Sequence, residues 1–476
     1  MVFSSLIFVF FFLGITLIGY YLMRPLPIIY RNIWLFLVSI FFYAWGEPKF
    51  FLVMIGSILM NYLWGLLVDK YRKSRGIKIL LGIAVGSNLL ILFIFKYLNF
   101  TVETFGKVFG TRIQITEILL PIGVSFFTFQ AISYVVDIYR EQGEVQKNPL
   151  NVGLYISFFP QLVAGPIVRY DTIAKQLAER QETVSDFEMG INRFLTGFCK
   201  KVLLANTFAN IADIAFNDAW KGYALGADFA WVAAIAYSFQ ILFDFSGYSD
   251  MAIGLGKMFG FHFLENFNYP YAAESITDFW RRWHISLGSW FRDYVYIPLG
   301  GSRVKNCRLW INLFVVWLLT GIWHGANWTF ILWGIFYFVL LSLEKVFDFH
   351  KKLKGFWMKT GYRIVTLLAV VFGWIIFRCE TLGTILRYVK SMLGIGAYGL
   401  HDSRVIFYIK EYWAFWLVAV ILCIPIPKKF SVMLDNNQRC SSILGLSGRI
   451  VRLGLFLISI SYLILNDYNP FIYFNF

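Results

Sequence analysis

Long apolar runs separated by short basic stretches are the main pattern of the chain. In its first fifth they cover residues near 3–23, 33–47, 50–68 and 77–95. A helix needs about 20 predominantly apolar residues to cross a hydrocarbon core of roughly 30 Å. Residues 2–23 and 50–68 contain no charged side chain. The pattern therefore predicts transmembrane helices, and another apolar segment follows at about 117–138.

The middle of the chain, from Leu150 to about Gly301, follows a different pattern. Its apolar runs are short and are interrupted by Gly, Pro, Asn and charged residues, as at 159–161 and 200–201. Irregular backbone at membrane depth is tolerated only where it is buried in protein or lines a watery cavity. We therefore expect broken or re-entrant helices here, and the centre of this region is a candidate for the functional part.

Residues 276–294 show helical periodicity. Their apolar positions recur at steps of three and four, at 276, 279, 280, 283, 287, 290, 291 and 294, which is one face of a helix. Arg281, Arg282, Arg292 and Asp293 point mostly in other directions. So short and so charged a helix is not expected to span lipid. The pattern predicts one amphipathic helix, in the interface plane or packed in a cavity.

Regular apolar runs resume in the last third, at about 310–322, 326–343, 361–377, 411–424 and 450–465. The chain is thus predicted to be an all-α polytopic membrane protein with roughly ten to twelve transmembrane helices, plus re-entrant and interfacial helices. We see no internal repeat, so we expect one membrane domain over 1–476. Within it, 1–140 supply N-terminal helices, 150–345 a core with broken helices, and 346–476 C-terminal helices.

Composition and charge agree with a membrane protein. Hydrophobic residues make up 58% of the chain and charged residues 15%, whereas soluble domains are nearer half apolar and a quarter charged. The net charge of +15 comes from Lys and Arg between apolar runs, as at 70–78. We assign them to cytoplasmic loops and the lipid bilayer rather than to nucleic acid. If 70–78 is cytoplasmic, the N-terminus lies outside.

Several kinds of site are not indicated by the sequence. The five cysteines, at 199, 307, 379, 423 and 440, have no paired spacing, so neither a disulfide framework nor a metal site is predicted. The glycines at 254, 256 and 260 do not match a dinucleotide fingerprint. No Gly-x-Ser-x-Gly elbow supplies a serine nucleophile.

His324 is the first candidate for a reacting group. It lies between Gly321 and Gly325 in an apolar segment, where an ionisable side chain is costly and by default marks a functional site. The glycines permit a bent backbone and close approach of a ligand. A histidine held between helices purely for packing is the alternative. Trp323 and Asn327, beside it, are candidates for hydrogen bonding to a reactant.

His284 is the second candidate and lies along the apolar face of the predicted amphipathic helix. A hydrogen-bonded interfacial histidine without a catalytic role is an equally good interpretation. Arg281, Arg282 and Trp283, next to it, are candidate substrate-binding residues. The other three histidines lie in polar connections and are given no role: His262, His350 and His401.

A further polar group, at 243–251, ends an apolar run. It contains Asp244, Tyr248 and Asp250 together with two serines. These side chains could orient a histidine or hydrogen-bond a substrate hydroxyl. Equally, they could form an ordinary helix end in which Ser and Asp cap the next helix.

Five stretches have an unusual composition: 158–167 (FFPQLVAGPI), 243–250 (FDFSGYSD), 278–287 (DFWRRWHISL), 319–325 (LTGIWHG) and 469–474 (NPFIYF). Together they resemble the membrane-bound O-acyltransferase (MBOAT) family, and the resemblance extends over nearly the whole chain. Within that family the chain is most similar to the branch of bacterial alginate O-acetylation proteins. The D-alanyl transfer proteins of teichoic acid modification are a neighbouring branch.

This resemblance implies a ring of tilted helices around a thinned central tunnel that opens to both faces. It implies that His324 is the catalytic residue and His284 the second characteristic histidine. The implied reaction carries an acetyl group from a cytosolic donor to an extracytoplasmic polysaccharide. Acetyl-CoA is expected as the co-substrate, with no permanently bound cofactor and no metal. Alginate, cellulose, other exopolysaccharides and cell-wall polymers stay open as acceptors.

Chemistry supports the same expectation. Acetyl-CoA is too polar to cross a bilayer and the polymer is outside, so a buried histidine reachable from both faces lets the acyl group alone pass. Neutral imidazole can remove a hydroxyl proton as the oxygen attacks the thioester, a contribution of about 10²–10⁴-fold. Whether His324 acts as the base or carries the acyl group is left open.

We expect the chain in the bacterial cytoplasmic membrane. The expected partner is an extracytoplasmic acetyltransferase or hydrolase-like protein of the same pathway. The alternatives from other classes are a transporter or flippase and a non-catalytic scaffold of a polysaccharide synthesis machine. A transporter would be expected to show symmetry between its halves, which the sequence does not indicate.

Overall fold

The computed structural model describes residues 1–111, 118–163, 165–425, 438–465, 468–470 and 472. Helices dominate these ranges, and no β-strand occurs in them. The chain divides into two compact units, one made of Met1–Phe194 and Tyr248–Leu264 and the other of Leu195–Gly247 and Glu265–Phe476. The prediction of an all-α polytopic membrane protein is confirmed. A single domain over 1–476 stays a prediction.

The first unit begins with a π-helical turn, Phe8–Phe12, that continues into an α-helix. Its helices are α1 (Leu13–Leu22), α2 (Ile28–Gly46), α3 (Phe51–Lys70), α4 (Ile77–Leu92), α5 (Leu98–Phe109), α6 (Val124–Tyr139), α7 (Pro149–Ser157), α8 (Phe159–Leu162) and α9 (Tyr170–Ala178). A second π-turn, Phe93–Tyr97, joins α4 to α5 without a loop. Most of α10 (Val184–Cys199) and residues 248–264 complete the unit.

Polar side chains join the helices inside this first unit. Asn61 of α3 and Asn88 of α4 exchange two amide hydrogen bonds of 2.9 and 2.7 Å. Arg31 pairs with Glu182 at 2.6 Å. Lipid offers an apolar helix the same contacts that apolar protein does, so buried hydrogen bonds of this kind help to specify which helices pack together.

The second unit contains the remaining elements. They are a π-turn (Lys200–Ala205), α11 (Asn206–Lys221), α12 (Ala227–Met258, with 227–247 in this unit), a 3₁₀ turn (Pro270–Ala272), α13 (Ile276–Arg282), α14 (Ile285–Phe291), a π-turn (Arg292–Tyr296), α15 (Asn306–His324), α16 (Trp328–Phe347), α17 (Phe349–Lys352), α18 (Phe356–Arg378), α19 (Leu382–Met392), α20 (Ser403–Glu411), α21 (Trp413–Cys423) and α22 (Gln438–Leu465).

Eight helices among the described residues are long and apolar enough to cross a membrane. They are α2, α3, the continuous α4–α5 helix, α12, α15, α16, α18 and Ser447–Leu465 of α22. A ninth crossing is reached if α20 and α21, which meet at 73°, form one broken span. The predicted ten to twelve crossings require the shorter apolar helices Phe8–Leu22 and Val124–Tyr139 as well. Nearly every residue of α6 is buried, and hydropathy does not distinguish such a helix from one that faces lipid.

The expectation of broken helices between Leu150 and Gly301 is right at the ends of that region and wrong at its centre. Residues 150–183 form short helices and coil, whereas α12 is 32 residues long. Its glycines serve packing: a Cβ atom on Gly247 would lie 2.8 Å from the carbonyl oxygen of Gly197. Glycine allows two helices to approach this closely, so it was a poor sign of a break.

Candidate active site

His324 is the last residue of α15, which packs antiparallel against α16. Gly321 and Gly334 lie at a point of close approach. A Cβ atom on Gly321 would come within 2.4 Å of the carbonyl oxygen of Phe330, and one on Gly334 within 2.5 Å of that of Trp317. Backbone contact of this kind requires glycine. It fixes the last turn of α15, and therefore His324, against α16.

Protein also fills the space beside Gly325. A Cβ atom there would lie 2.3 Å from the ring of Phe330. The sequence predicts that the two glycines flanking His324 allow close approach of a ligand. At both positions a neighbouring part of the chain occupies that space instead.

The imidazole of His324 is buried among aromatic rings. The ring centroids of Trp323, Trp333 and Phe377 each lie 5.0 Å from its own, in edge-on arrangements. Only 6% of the residue is exposed. This packing restricts rotation of the ring and keeps water away from it, and polar contacts are stronger where water is excluded.

His284 lies at a break in the helix predicted for 276–294. α13 ends at Arg282 and α14 begins at Ile285, and His284 between them has a left-handed backbone (φ 45°, ψ 53°). The prediction of one continuous helix is wrong. The periodicity does not reveal the break, because a break this short leaves the spacing of the apolar side chains nearly unchanged. A left-handed histidine costs about 1–2 kcal/mol, so its neighbours must hold it.

Asn266 supplies that support. Its backbone carbonyl accepts from the N–H of Ile285 at 3.0 Å, and its side-chain oxygen accepts from the N–H and the hydroxyl of Ser286 at 3.1 and 2.9 Å. The same side-chain oxygen lies 3.1 Å from Nδ1 of His284. This fully buried residue is not predicted from the sequence, because a single Asn in a polar connection has no periodic signal.

These contacts determine which nitrogen of His284 carries the proton. The Asn266 atom that faces the N–H of Ser286 must be an acceptor, so it is the oxygen. Nδ1 of His284 must then donate, and Nε2 keeps its lone pair. Nε2 has no hydrogen-bond partner among the described residues. Burial lowers the pKa of His284 to about 3, so the ring is neutral at physiological pH.

Both histidines line one cavity of about 500 Å³, a size typical of small-molecule sites. Trp280, Arg281 and Arg292 are also on its wall. The indole N–H of Trp280 has no acceptor among the described residues. The cavity wall therefore includes two imidazoles and two guanidinium groups, of which that of Arg292 pairs with Asp293 at 2.7 Å. In the described ranges no group of three or more His, Cys, Asp or Glu side chains is arranged to hold a metal ion.

The basic residues predicted beside His284 have different surroundings. Arg281 is exposed and lines the cavity. Arg282 is absent from the cavity wall and pairs with Asp278 of the same helix at 2.9 Å. Of the two predicted residues, Arg281 is therefore the one available to a ligand in the cavity.

The other predicted neighbours of the histidines also have defined contacts. Trp283 lines the cavity and packs against Trp374 at 4.7 Å. Trp323 contacts both histidines, with ring centroids 6.1 Å from His284 and 5.0 Å from His324. Asn327, predicted as a donor to a reactant, caps α16 and donates to the carbonyl oxygen of Glu380 at 3.0 Å.

Asp244, predicted as a supporting residue, takes part in a buried ion pair. It pairs with Lys201 at 2.6 Å and accepts from the backbone N–H of Ile472 at 2.9 Å. Lys201 also donates to the carbonyl oxygen of Pro470. These contacts account together for Asp244 and for Pro470 and Ile472 of the C-terminal motif. Three residues of that motif lie outside the described residues: Phe471, Tyr473 and Phe474.

Tyr248 and Asp250, the other two supporting residues predicted, belong to the first unit. There Asp250 pairs with Arg193 at 2.6 Å, and Tyr248 stacks on Phe3 with ring centroids 4.5 Å apart. The structure accounts for both by packing within that unit. A role in substrate binding stays a prediction for them and for Asp244.

Glu344 of α16 is a second residue that the sequence analysis missed. Its buried carboxylate accepts from the N–H groups of Ile276 and Thr277, at 2.9 and 2.8 Å, at the N-terminus of α13. A carboxylate there satisfies free N–H groups and complements the helix dipole. It fixes the start of the helix that carries Arg281 to the cavity. A charged residue near the end of an apolar run was the available signal.

Comparison with known proteins shows which family the chain resembles. A family model described as "MBOAT, membrane-bound O-acyltransferase family" matches residues 144–386. The chain is 42% identical over 407 residues to "Probable alginate O-acetylase AlgI" of Pseudomonas aeruginosa, covering 84% of this chain and 76% of that one. It is 34% identical over 435 residues to "Peptidoglycan O-acetyltransferase" of Helicobacter pylori, covering 85% and 82%. Over 282 residues it is 33% identical to "Teichoic acid D-alanyltransferase" of Bacillus subtilis, covering 54% and 68%.

Proposed function

Because this chain belongs to the membrane-bound O-acyltransferase family and is an O-acyltransferase, we propose that it passes an acetyl group from cytosolic acetyl-CoA to a polysaccharide on the opposite side of the membrane. Membrane-bound acyl transfer in polysaccharide modification follows from the comparisons. The donor, the direction and the acceptor are the proposal. The observation that carries it is a single cavity lined by His284, His324 and two arginines.

The cations on the cavity wall support a phosphate-bearing donor. Arg281 lines the cavity and forms no ion pair with a described residue, whereas Arg292 on the same wall pairs with Asp293 at 2.7 Å. Guanidinium groups bind phosphate through paired N–H donors. We expect Arg281 to hold the phosphates of acetyl-CoA, while the acyl-bearing arm extends towards His324. A donor so bound brings its thioester to the aromatic surroundings of the imidazole.

The distribution of basic residues supports the direction of transfer. Residues 303–308, at the start of α15, contain three Lys or Arg, and residues 345–363, between the end of α16 and the start of α18, contain six. The connection from α15 to α16, residues 325–327, contains none. The positive-inside rule favours the cytosol for the basic ends. His324, at the other end of α15, is then nearer the opposite face.

We propose that His324 is the general base. The acceptor hydroxyl oxygen attacks the thioester carbonyl carbon while the imidazole of His324 takes the hydroxyl proton. The carbon–sulfur bond then breaks, and the departing thiolate takes the proton back from the imidazolium. The sugar ester and free CoA thiol are the products, and no other reactant is consumed.

Two further groups of the cavity support this reaction. The neutral Nε2 of His284 can accept a hydrogen bond from the donor or the acceptor and so position it. The indole N–H of Trp280 can donate to the carbonyl oxygen as negative charge develops on it. Trp280 suits this task better than Asn327, whose side-chain amide already holds Glu380 and the start of α16.

The proposal also covers the membrane that holds the protein and the partner of the reaction. The chain is a multi-pass membrane protein, and we place it in the bacterial cytoplasmic membrane. An extracytoplasmic acetyltransferase or hydrolase-like protein of the same pathway stays the predicted partner. The transporter and scaffold alternatives are set aside, because the comparisons identify an O-acyltransferase.

The test is the O-acetyl content of the surface polysaccharide in cells that express single variants at equal level. We expect His324→Ala to reduce it to that of a deletion strain. His401→Ala is the matched control, because that side chain is 94% exposed and does not line the cavity. Normal acetylation by a folded His324→Ala protein would contradict the proposal.

A further inference from the structure

A second cavity, of about 270 Å³, lies in the same unit as the histidines. Its wall comes from the end of α11, the end of α18 and the start of α19, and includes Asn217, Trp220, Arg378, Glu380 and Thr384. It shares no lining residue with the cavity of the two histidines. The functional assignments above use none of these side chains.

This second cavity is close to His324 along the chain. Phe377, whose ring lies 5.0 Å from the His324 ring, immediately precedes Arg378. The carbonyl oxygen of Glu380 accepts from the side chain of Asn327 at 3.0 Å. Even fully extended, the three residue steps from Phe377 to Glu380 span at most about 11 Å. One short segment therefore forms part of the wall around His324 and part of the wall of the second cavity.

The side chains of this cavity suit a hydroxyl-rich ring. Trp220 is 55% exposed, and an indole face packs against the C–H face of a sugar ring. The side chains of Asn217 and Glu380 are exposed and form no hydrogen bond or ion pair with any described residue. An amide and a carboxylate can together accept from and donate to neighbouring hydroxyl groups. The side chains of Asn217 and Glu380 are therefore both free to bind a ligand.

The charge of Arg378 is already compensated within the protein. Its guanidinium donates to Asp213 at 2.8 Å and lies 5.6 Å from the ring of Phe216. It therefore forms a fixed wall of the cavity. The position of the cavity also agrees with an acceptor site, because α18 begins at the basic end assigned above to the cytosol and Arg378 is its last residue.

We propose that this second cavity binds a sugar ring of the acceptor polysaccharide and directs one of its hydroxyl groups towards His324. The inference rests on the proposed function and adds to it a site for the acceptor. The shared chemistry is a hydroxyl-rich ring, which a neutral glucan or a polyuronate can supply. Trp220 stacks on the ring, and Asn217 and Glu380 bind its hydroxyl groups.

The test is equilibrium binding of oligosaccharides to the full-length protein in detergent, with cello-oligosaccharides in one arm and mannuronate oligosaccharides in the other. We expect one of the two kinds of oligosaccharide to bind. Trp220→Ala and Glu380→Gln should each weaken this binding by about tenfold or more, as for loss of one stacking or hydrogen-bonding contact. Trp357→Ala is the matched control, because Trp357 is 83% exposed at the other end of α18. Unchanged binding in both cavity variants would overturn the proposal.

A kinetic experiment separates this inference from the proposed function. In Trp220→Ala and Glu380→Gln the KM for the oligosaccharide is expected to rise by the same factor as its Kd. Trp357→Ala is expected to leave this KM and the acetyl-CoA hydrolysis without acceptor unchanged. If the wild-type protein neither hydrolyses acetyl-CoA nor transfers from it, the proposed function fails, and the binding test still decides the sugar site. A defect seen only when an extracytoplasmic partner protein is added would contradict a sugar site and indicate a protein-docking surface.

Discussion

At the scale of single residues, the two histidines of the cavity are held in different ways. Asn266 holds the ring of His284 through Nδ1, and burial keeps that ring neutral by lowering its pKa to about 3. Aromatic rings enclose His324. A general base works best with a pKa near the working pH. His284 is therefore suited to accepting a hydrogen bond, and His324 is the residue we propose as the base.

Replacement of Asn266 tests how His284 is held. Asn266→Ala removes the acceptor for Nδ1 of His284 and for Ser286, and we expect kcat to fall by about tenfold or more, equivalent to the loss of one well-placed hydrogen bond. Asn266→Asp keeps an acceptor but places a negative charge beside the ring, which raises the pKa of His284. Its Nε2 then becomes protonated as the pH falls and can no longer accept.

The measurement is kcat against pH from about pH 5 to about pH 8, the range in which an unperturbed histidine titrates. The wild-type profile should show no acid loss from His284, because its pKa of about 3 lies below this range. Asn266→Asp should lose activity towards the acid end. Identical profiles for the two proteins would show that Asn266 does not act through His284.

Trp280 provides a second test at a single atom. Trp280→Phe keeps the aromatic packing and removes the N–H, so we expect kcat to fall by about 10²–10³-fold, as for loss of one oxyanion donor, with little change in unfolding temperature. Trp416→Phe is the control, because its indole N–H is also without an acceptor among the described residues but the residue does not line the cavity. Equal effects of the two changes would rule out a specific role for Trp280.

The sequence identified His324, His284 and Arg281 as candidates because a charged or ionisable side chain in an apolar or periodic segment is visible without a structure. It did not identify Asn266. That residue acts on His284 from 18 positions away, and nothing in its local sequence marks the contact. Hydrogen-bond partners that come together only on folding are the part of a site that a pattern does not contain.

At the scale of helices, the crossing of α15 and α16 fixes His324. Gly321→Ala would bring a methyl group within 2.4 Å of a backbone oxygen, and we expect it to destabilise the protein by about 1–3 kcal/mol, as for overpacking, and to lower activity. Gly361→Ala in α18 is the control, because a Cβ atom there would meet nothing within 4 Å.

The measurement is the unfolding temperature of both variants in the same detergent, together with acetyl transfer. Gly361→Ala should be unchanged or slightly more stable, since Ala favours a helix over Gly by about 1 kcal/mol. Equal stability of Gly321→Ala and the wild-type protein would mean that the two helices can separate without consequence for His324.

The positions of most helices could be predicted from apolar runs, but their continuity could not. The period of 276–294 predicted a single helix, whereas His284 interrupts it with a left-handed backbone. Glycines in α12 suggested a break, whereas Gly247 serves close packing. A helical period can come from one helix or from two helices joined by a short break, and a glycine can mark a break or a close helix contact. Only the neighbouring segment in the structure distinguishes these causes.

At the scale of the whole molecule, the main prediction is which ends of the helices face the cytosol. Hydropathy sufficed for the all-α polytopic fold, since eight helices in the described part of the chain have the required length and composition. The number of membrane crossings is harder to predict than the fold class, because a helix such as α6 is apolar and yet surrounded by protein. The assignment of the cytosolic face rests on the basic residues near the ends of α15, α16 and α18.

Cys307 allows this orientation to be tested without adding a residue. It is exposed at the basic start of α15. We expect a membrane-impermeant maleimide to label it in inside-out vesicles and not in intact cells, with Cys307→Ser as the control for labelling of other cysteines. Labelling of Cys307 from outside would reverse the proposed direction of transfer.

The most direct test of the central claim is acetyl transfer across a membrane by the purified protein. Liposomes containing the full-length chain would enclose the acceptor oligosaccharide, and radiolabelled acetyl-CoA would be added outside. We predict labelled acetyl ester on the enclosed sugar with the wild-type protein and with His401→Ala, and none with His324→Ala. Transfer by the His324→Ala protein at the wild-type rate would contradict the account.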